Sequence, residues 1–304
     1  MINIVFSTMF YPVSIGKFFM FALQRREDVN LFTVGPYTSN WIPWKGGMYL
    51  PEQYSKPPDL PMTRAFIGNT AVNPVIVENR LPFKPDLWIN ADAGFAFSKP
   101  NCPYAIIATD PHVLRYGLQR KNCDRFYNMQ KFYMQNYPND IYLPYAADPV
   151  WHSPLEREKE YDACLIGLQY ENRNRLVDRL RAKGLKVFYE TGVVYDEYQE
   201  IYAKSRVALS WSSLQDLIAR VFEGMLMKIP VVCNNVPDMK LHFGSGKRYY
   251  WGFDTLDEAE FLVFDVLGNY YNAKRVAEQA HELVKRNHLY DHRIEQILED
   301  FDLI

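Results

Sequence analysis

Short apolar runs alternate with helix-spaced apolar repeats through the first half of the chain. Apolar runs of strand length occur at 2–6, 29–34, 85–90 and 104–108, and residues 17–26 repeat apolar side chains at helical spacing. Strands that alternate with helices form parallel sheets, so this half is predicted to be a Rossmann-like domain. It contains no G-x-G-x-x-G sequence, which disfavours a dinucleotide site here.

The second half shows the same alternation. It predicts strands at 162–168, 185–189, 207–211 and 229–233, and helices at 172–183, 195–203, from the Ser212-Ser213 pair to about 226, from a Thr255 capping box to 267, and at 291–301. At 304 residues, the chain suits two domains that each bury their own core. We predict an α/β protein with Rossmann-like domains at 1–148 and 149–304.

Bulk composition excludes several classes of protein. Hydrophobic residues make up 48% and charged residues 23%, the net charge is −2 and the pI is near 6.3, so no strongly basic surface for a polyanion is expected, although a local patch could still bind DNA or an acidic membrane. The four cysteines (102, 123, 164 and 233) fit neither a zinc spacing nor a disulfide framework. With no signal peptide and no apolar run long enough to span a bilayer, we predict a cytoplasmic protein without stable membrane insertion.

The Ser212-Ser213 pair ends a predicted strand and is expected to cap the next helix. Gln215 or Asp216 would complete a capping box. A helix N-terminus at the carboxyl end of a parallel sheet attracts anions, because its free N–H groups and its dipole point at the ligand. We therefore predict that Gln215 and Asp216 lie beside a bound anion.

Arg220 and Glu223 lie further along the same predicted helix. A carboxylate at Glu223 is suited to accept both hydroxyls of a ribose, as in dinucleotide folds. The alternative is a solvated ion pair, since the two residues are three positions apart on one helix.

Gly167 ends the first strand of the second half, and Arg173 and Arg175 begin the helix that follows. Glycine allows a close approach of a ligand to the backbone. Cations in the first turn of a helix oppose its dipole unless an anion is near, and a diphosphate is an anion that guanidinium groups bind well. Two solvent-facing arginines are the alternative.

Polar residues also follow two strands of the first half. Asp92 follows the run at 85–90, and Asp110 and His112 follow the run at 104–108. In open α/β sheets, ligands bind at the carboxyl ends of strands, so these side chains are candidate site residues. For Asp110 the alternative is a structural turn, because Asp-Pro is a strong turn former.

Four motifs together resemble GT-B glycosyltransferases, in particular the branch of the spore-maturation protein CgeB. They are Arg-Val-Phe-Glu-Gly at 220–224 with Pro-Val-Val at 230–232, Asp-Ala-Cys-Leu-Ile-Gly at 162–167 with Arg173, Leu-Pro-Tyr-Ala-Ala-Asp at 143–148, and His-Leu-Tyr-Asp-His-Arg at 288–293. The resemblance covers about residues 86 to 300. It implies two Rossmann-like domains facing across a cleft, with the last helix crossing back to the first domain and Tyr290 and Arg293 in structural roles.

The same resemblance implies the transfer of a sugar from a nucleotide-diphosphate donor, with a UDP-sugar expected, to an acceptor hydroxyl. Gly167, Arg173, Gln215, Asp216, Arg220 and Glu223 would bind the donor, with no metal and no other cofactor required. Transfer with inversion needs a base for the acceptor proton, for which Asp110 comes first, His112 second and Asp92 third. The acceptor would be a glycan, a protein, a small molecule or a modified nucleobase.

The chain departs from the wider GT-B pattern at two positions. Many retaining members have a second Glu eight positions before the one at Glu223, where this chain has Gln215. Lys228 stands where the family favours a glycine, and a left-handed conformation would be unfavourable for lysine. Two other classes stay open: a nucleotide-binding module without activity and, disfavoured by the missing glycine fingerprint, a two-domain NAD oxidoreductase.

The segment at 36–64 interrupts the pattern with prolines and aromatic residues, among them Trp41, Trp44, Tyr49 and Tyr54. A loop of this length is usually functional or disordered. Its rings would either pack on sugar faces and close the cleft or hold the loop against its domain.

Overall fold

The computed structural model describes residues 1–42, 48–49, 56–63, 71–91, 95–114, 116–244 and 248–304. Two units make up the chain. Unit 1 comprises Met1–Pro144 and Tyr290–Ile304, and unit 2 comprises Tyr145–Leu289.

Among the described residues, unit 1 has one large parallel sheet with the strand order β5-β2-β1-β6-β7-β8-β9 and a short antiparallel β3-β4 pair. The strands are β1 (Ile2–Ser7), β2 (Val29–Pro36), β3 (Trp41–Ile42), β4 (Met48–Tyr49), β5 (Leu60–Met62), β6 (Leu87–Ala91), β7 (Tyr104–Ala108), β8 (Arg125–Asn128) and β9 (Ile141–Tyr142). Every residue of β6 and β7 is buried, as expected for central strands covered on both faces.

Unit 2 has a second parallel sheet, in the order β11-β10-β12-β13-β14. Its strands are β10 (Tyr161–Ile166), β11 (Val187–Glu190), β12 (Ser205–Ser210), β13 (Val231–Asn234) and β14 (Trp251–Phe253). The prediction of an α/β fold with two Rossmann-like parallel sheets is confirmed.

Helices connect these strands and cover the sheets. They are α1 (Gly16–Gln24), α2 (Val75–Glu78), α3 (Gly117–Lys121), α4 (Glu171–Ala182), α5 (Tyr195–Ala203), α6 (Ala219–Leu226), α7 (Met239–Phe243), α8 (Leu256–Gly268), α9 (Tyr270–Asn287) and α10 (Tyr290–Asp300), with a 3-10 helix at Lys131–Asn136. The predicted capping box at Thr255 is confirmed, because its side chain and that of Glu258 each bond the other's backbone N–H.

Each unit buries its own apolar core. In unit 1 the core includes Val5, Trp88 and Ile106, and in unit 2 it includes Leu165, Leu180 and others. Strand residues on the opposite face of each sheet, such as Ile89 and Ile166, are buried as well, as is usual in a doubly wound α/β unit.

The last helix belongs to unit 1. Tyr290 is fully buried and packs on α1, with ring centroids 5.4 Å from Phe18 and 4.9 Å from Phe19. Arg293 is 5% exposed, and its Nε donates to the Pro144 carbonyl over 2.8 Å. Both side chains are therefore buried in packing and hydrogen bonding, in agreement with the structural roles expected of them.

The structure also bears on the predictions for Lys228 and for the aromatic segment. Lys228 has a φ of +59°, so the predicted left-handed residue after α6 is confirmed. In the aromatic segment, Trp41 pairs with Tyr49 between β3 and β4, and the Tyr49 side chain is exposed. Trp44 and Tyr54 lie outside the described residues.

The four cysteines are free thiols. Within the described ranges, none of the helices combines the length and the apolar character that crossing a bilayer requires.

A buried carboxylate joins α4 to α8, and it should make the stability of unit 2 depend on pH. Glu260 receives the Arg179 Nε over 2.7 Å and also contacts the Lys183 ammonium. The hydrogen bond from Lys183, followed by that from Arg179, lowers the pKa of Glu260 below its usual 4.5. The stabilisation is therefore complete above about pH 4.5 and is lost as the pH falls through the lower folded-state pKa.

We expect Glu260→Gln to lower the melting temperature at pH 7 and the difference from the parent protein to shrink towards pH 3. Melting temperatures at pH 7, 5, 4 and 3 test this. Glu278→Gln, on the exposed face of α9, is the matched control and should change little at any pH. A Glu260→Gln deficit of equal size at every pH would contradict the assignment.

Candidate functional site

The strand order of unit 2 reverses between β10 and β12. The chain passes from β10 through α4 to β11 on one side, whereas β12 lies on the other side of β10. The connections that leave the carboxyl ends of these two strands diverge, and ligands bind at such a point in open α/β sheets. Gly167 follows β10 here, and Trp211 follows β12.

The Arg173 side chain links the two diverging connections. Its Nε and Nη2 donate to the Trp211 carbonyl over 2.8 and 2.5 Å, and its Nη1 donates to the Leu168 carbonyl over 2.9 Å. Arg173 is 4% exposed, and burial, with a smaller effect from the Arg220 charge, lowers its pKa to about 10. The guanidinium is therefore held rigidly and remains a cation at neutral pH.

Arg220 meets Arg173 directly above Gly167. A Cβ atom built on Gly167 would lie 2.9 Å from Arg220 Nη1 and 3.3 Å from Arg173 Nη1, and the φ of Gly167 is +148°. The Arg220 Nε is buried and has no hydrogen-bond partner among the described residues. Two guanidinium groups this close repel one another, so the arrangement is suited to an anion bound between them.

The predicted start of the helix that carries Arg220 is wrong. Helix α6 begins at Ala219 with Ile218 as its N-cap residue, so neither Ser212 nor Ser213 caps it. Instead, the Ser212 hydroxyl bonds the Asp216 carboxylate and the Leu214 carbonyl. Such local side-chain bonds compete with helix formation, which explains why a turn precedes α6.

The later start changes where the candidate residues lie. Gln215 is exposed and Asp216 half-buried in the turn before α6, and neither completes a capping box. Arg220 is the second residue of α6, as Arg173 is the third residue of α4, so both cations oppose a helix dipole in its first turn. Arg175, the other arginine of α4 considered above, is exposed.

Glu223 is a buried residue of α6, with 6% of its surface exposed. Its Oε2 accepts a hydrogen bond of 2.5 Å from the Tyr198 hydroxyl, and its Oε1 lies 3.7 Å from His152 Nε2. The Tyr202 hydroxyl lies 3.1 Å from that of Tyr198. The alternative of a solvated surface pair with Arg220 does not describe this environment.

The sequence interpretation did not identify His152, Tyr198 or Tyr202. Two signals were available in the chain. Tyr198 and Tyr202 are four apart on α5 and therefore share one face of it, and His152 is four residues after Asp148, at the end of the Leu-Pro-Tyr-Ala-Ala-Asp motif. Neither signal indicates which carboxylate these side chains meet.

Two of the three candidate bases in unit 1 lie in the turn after β7. Asp110 is exposed, and its carbonyl accepts the N–H groups of Val113 and Leu114. His112 is half-buried and stacks on Tyr133, with centroids 4.8 Å apart and an interplanar angle of 22°. Thus Asp110 and His112 share one turn. Asp92, the third candidate, lies outside the described residues.

Among the residues that the structure describes, no group of three or more His, Cys, Asp or Glu side chains is arranged to hold a metal ion. The groups that converge at the strand-order reversal of unit 2 are the guanidinium groups of Arg173 and Arg220.

Residues 149–299 match a family model described as "Glycosyl transferase-like". The match covers most of unit 2, including Gly167, Arg173, Arg220 and Glu223. A comparison with curated protein sequences found no match.

Solved structures with the same fold match nearly the whole chain. An α-glucosyltransferase in complex with UDP and a DNA containing an HMU base has a TM-score of 0.64 and 11% identity, with 99% of each chain covered. A glycosyltransferase from Rickettsia africae has a TM-score of 0.63 and 11% identity, covering 99% of this chain and 97% of that one. Sucrose-phosphate synthase from Thermosynechococcus elongatus has a TM-score of 0.62 and 9% identity, with 99% and 98% covered.

At these identities the structural likeness shows the fold, and the predicted GT-B fold is confirmed. The family match adds the class of enzyme, so the prediction of a glycosyltransferase is confirmed as well. The CgeB-like branch, the donor and the acceptor stay predictions.

Proposed function

We propose that this chain transfers a sugar from a nucleotide-diphosphate donor, with UDP as the nucleotide, to an acceptor hydroxyl. One observation carries the proposal: the guanidinium groups of Arg173 and Arg220 converge above Gly167 at the strand-order reversal of unit 2. A donor diphosphate supplies the negative charge that would balance this pair, and the missing side chain at residue 167 leaves the room in which the two guanidinium groups lie.

The same pair accounts for the departure of the nucleotide diphosphate. Charge develops on the leaving phosphate as the glycosidic bond breaks, and fixed cations in a partly buried site stabilise that charge. Arg173 is held by three hydrogen bonds to backbone carbonyls, so little reorganisation is needed when the charge appears. We therefore propose that transfer requires no metal, the arginines acting where other transferases use one.

Glu223 would accept the ribose hydroxyls of the donor, and Gln215 and Asp216 would lie beside the bound nucleotide. In unit 1, Asp110 would take the acceptor proton, with His112 and Asp92 as the second and third candidates. The acceptor would be a glycan, a protein, a small molecule or a modified nucleobase. Four free cysteines favour a reducing compartment, and we propose the cytoplasm.

The first experiment compares nucleotides as stabilisers of the folded protein. A ligand that binds only the folded state raises the melting temperature, and UDP at about 100 times its Kd should add ~2.7 kcal/mol, or several degrees. We expect UDP to protect, UMP to protect less because it lacks one phosphate, and NAD⁺ to have no effect. Protection by NAD⁺ without protection by UDP would favour the oxidoreductase instead.

A further inference from the structure

We propose that Tyr198 and His152 are positioning residues that hold the Glu223 carboxylate in the orientation that receives the donor ribose. The inference rests on the proposed function, because it assigns partners to the same nucleotide site. Neither residue belongs to the arginine pair that would bind the diphosphate.

Tyr198 is a permanent hydrogen-bond donor to Glu223. Its hydroxyl lies 2.5 Å from Glu223 Oε2, and the two residues are 9% and 6% exposed. Burial, and then the neighbouring Glu223 charge, raise the pKa of Tyr198 well above its usual 10, so the hydroxyl keeps its proton. A carboxylate accepts and a protonated phenol donates, which settles the direction of this bond.

His152 faces the other oxygen of the same carboxylate. Its Nδ1 accepts the Asp148 backbone N–H over 2.9 Å, and a ring nitrogen that accepts carries no proton. The ring proton is therefore on Nε2, which lies 3.7 Å from Glu223 Oε1. The Asp148 carboxylate accepts hydrogen bonds from the N–H groups of Val150 and Trp151. These bonds fix the turn whose backbone N–H binds the imidazole.

The Tyr198 hydrogen bond to Oε2 and the His152 ring beside Oε1 together restrict rotation of the Glu223 carboxylate. A ribose diol requires two acceptors at a defined separation, which a freely rotating side chain would offer only part of the time.

The test measures the Kd of UDP and of 2′-deoxy-UDP for the parent protein and for Tyr198→Phe. The parent should prefer UDP about tenfold, since one hydrogen bond to a charged group distinguishes the ligands, and Tyr198→Phe should reduce this preference below about threefold. His152→Asn is the second variant, because its amide oxygen can still accept the Asp148 N–H while the Nε2 proton is gone. It should reduce the preference in the same way.

Tyr127→Phe is the matched control, because Tyr127 is a buried tyrosine of unit 1 that donates to Asp300 over 2.9 Å. It should retain the full preference for UDP. If Tyr198 and His152 have a merely structural role, their substitution would weaken the binding of both ligands equally and leave the ratio of the two Kd values unchanged. That result would overturn the inference while leaving the proposed function intact. Failure of the parent protein to bind UDP would overturn the proposed function, and this inference with it.

Discussion

Replacing Arg220 by alanine should weaken UDP binding about 100-fold, because truncating one member of a desolvated charge pair usually costs ~2–5 kcal/mol. Its guanidinium lies beside that of Arg173, and its buried Nε has no partner among the described residues. The stability of the unliganded protein should not fall, since the substitution relieves the repulsion with Arg173 and removes a cation that opposes the α6 dipole. We expect Arg220→Ala to have an unchanged or slightly higher melting temperature, so its loss of UDP affinity should not be accompanied by a loss of stability.

Calorimetric titration with UDP and thermal unfolding without it measure the two quantities. Arg175→Ala is the matched control, an exposed arginine on α4 two residues from Arg173 that should retain both affinity and stability. Arg173→Ala should differ from Arg220→Ala by losing stability as well, because Arg173 also bonds the Trp211 and Leu168 carbonyls. If Arg220→Ala binds UDP as tightly as the parent protein, the diphosphate does not lie above Gly167.

Replacing Asp110 by asparagine should lower the transfer rate by about 10²–10⁴-fold and leave UDP affinity unchanged, because a general base typically contributes that factor. Asparagine has the same shape and cannot take a proton. The backbone bonds of the turn, from Val113 and Leu114 to the carbonyl of residue 110, do not involve the side chain. UDP release from a panel of UDP-sugars, followed with water alone and with a panel of acceptors, gives the rate.

Glu27→Gln, an exposed acid of the same unit, is the control and should keep the parent rate. An unchanged rate in Asp110→Asn would move the base to His112 or Asp92. A parent protein that binds UDP but releases none from any donor would instead favour the nucleotide-binding module without activity.

Much of the secondary structure follows from the chain itself. The apolar run at 104–108 is predicted as a strand and observed as β7, and the helix predicted at 195–203 is observed as α5. Both follow from sequence because a strand buried on two faces and a helix buried on one face each have a hydrophobic pattern that spans only a few residues. The capping box at Thr255 is equally local. The glycine and arginines of the candidate site were also predicted from sequence, since the carboxyl ends of all strands of a parallel sheet lie along one edge, where ligands bind.

The start of α6 could not be predicted in this way. A Ser pair followed by Gln and Asp satisfies the capping pattern, yet the Ser212 hydroxyl bonds Asp216 within a turn. Two hydrogen-bonding patterns compete there, and the turn is further held because the Ser212 N–H donates to the Asn234 side chain at the end of β13. That partner is known only when the neighbouring strand is in position.

By itself, the sequence determined the alternation of strands and helices, the two parallel sheets and the residue types at their carboxyl ends, because hydrophobic period and turn chemistry act over a few residues. Only the tertiary structure decided that Arg220 meets Arg173 above Gly167 and that Glu223 lies against Tyr198 and His152. Those contacts join segments far apart in the chain, and they depend on strand order and on side-chain packing, which no local pattern encodes.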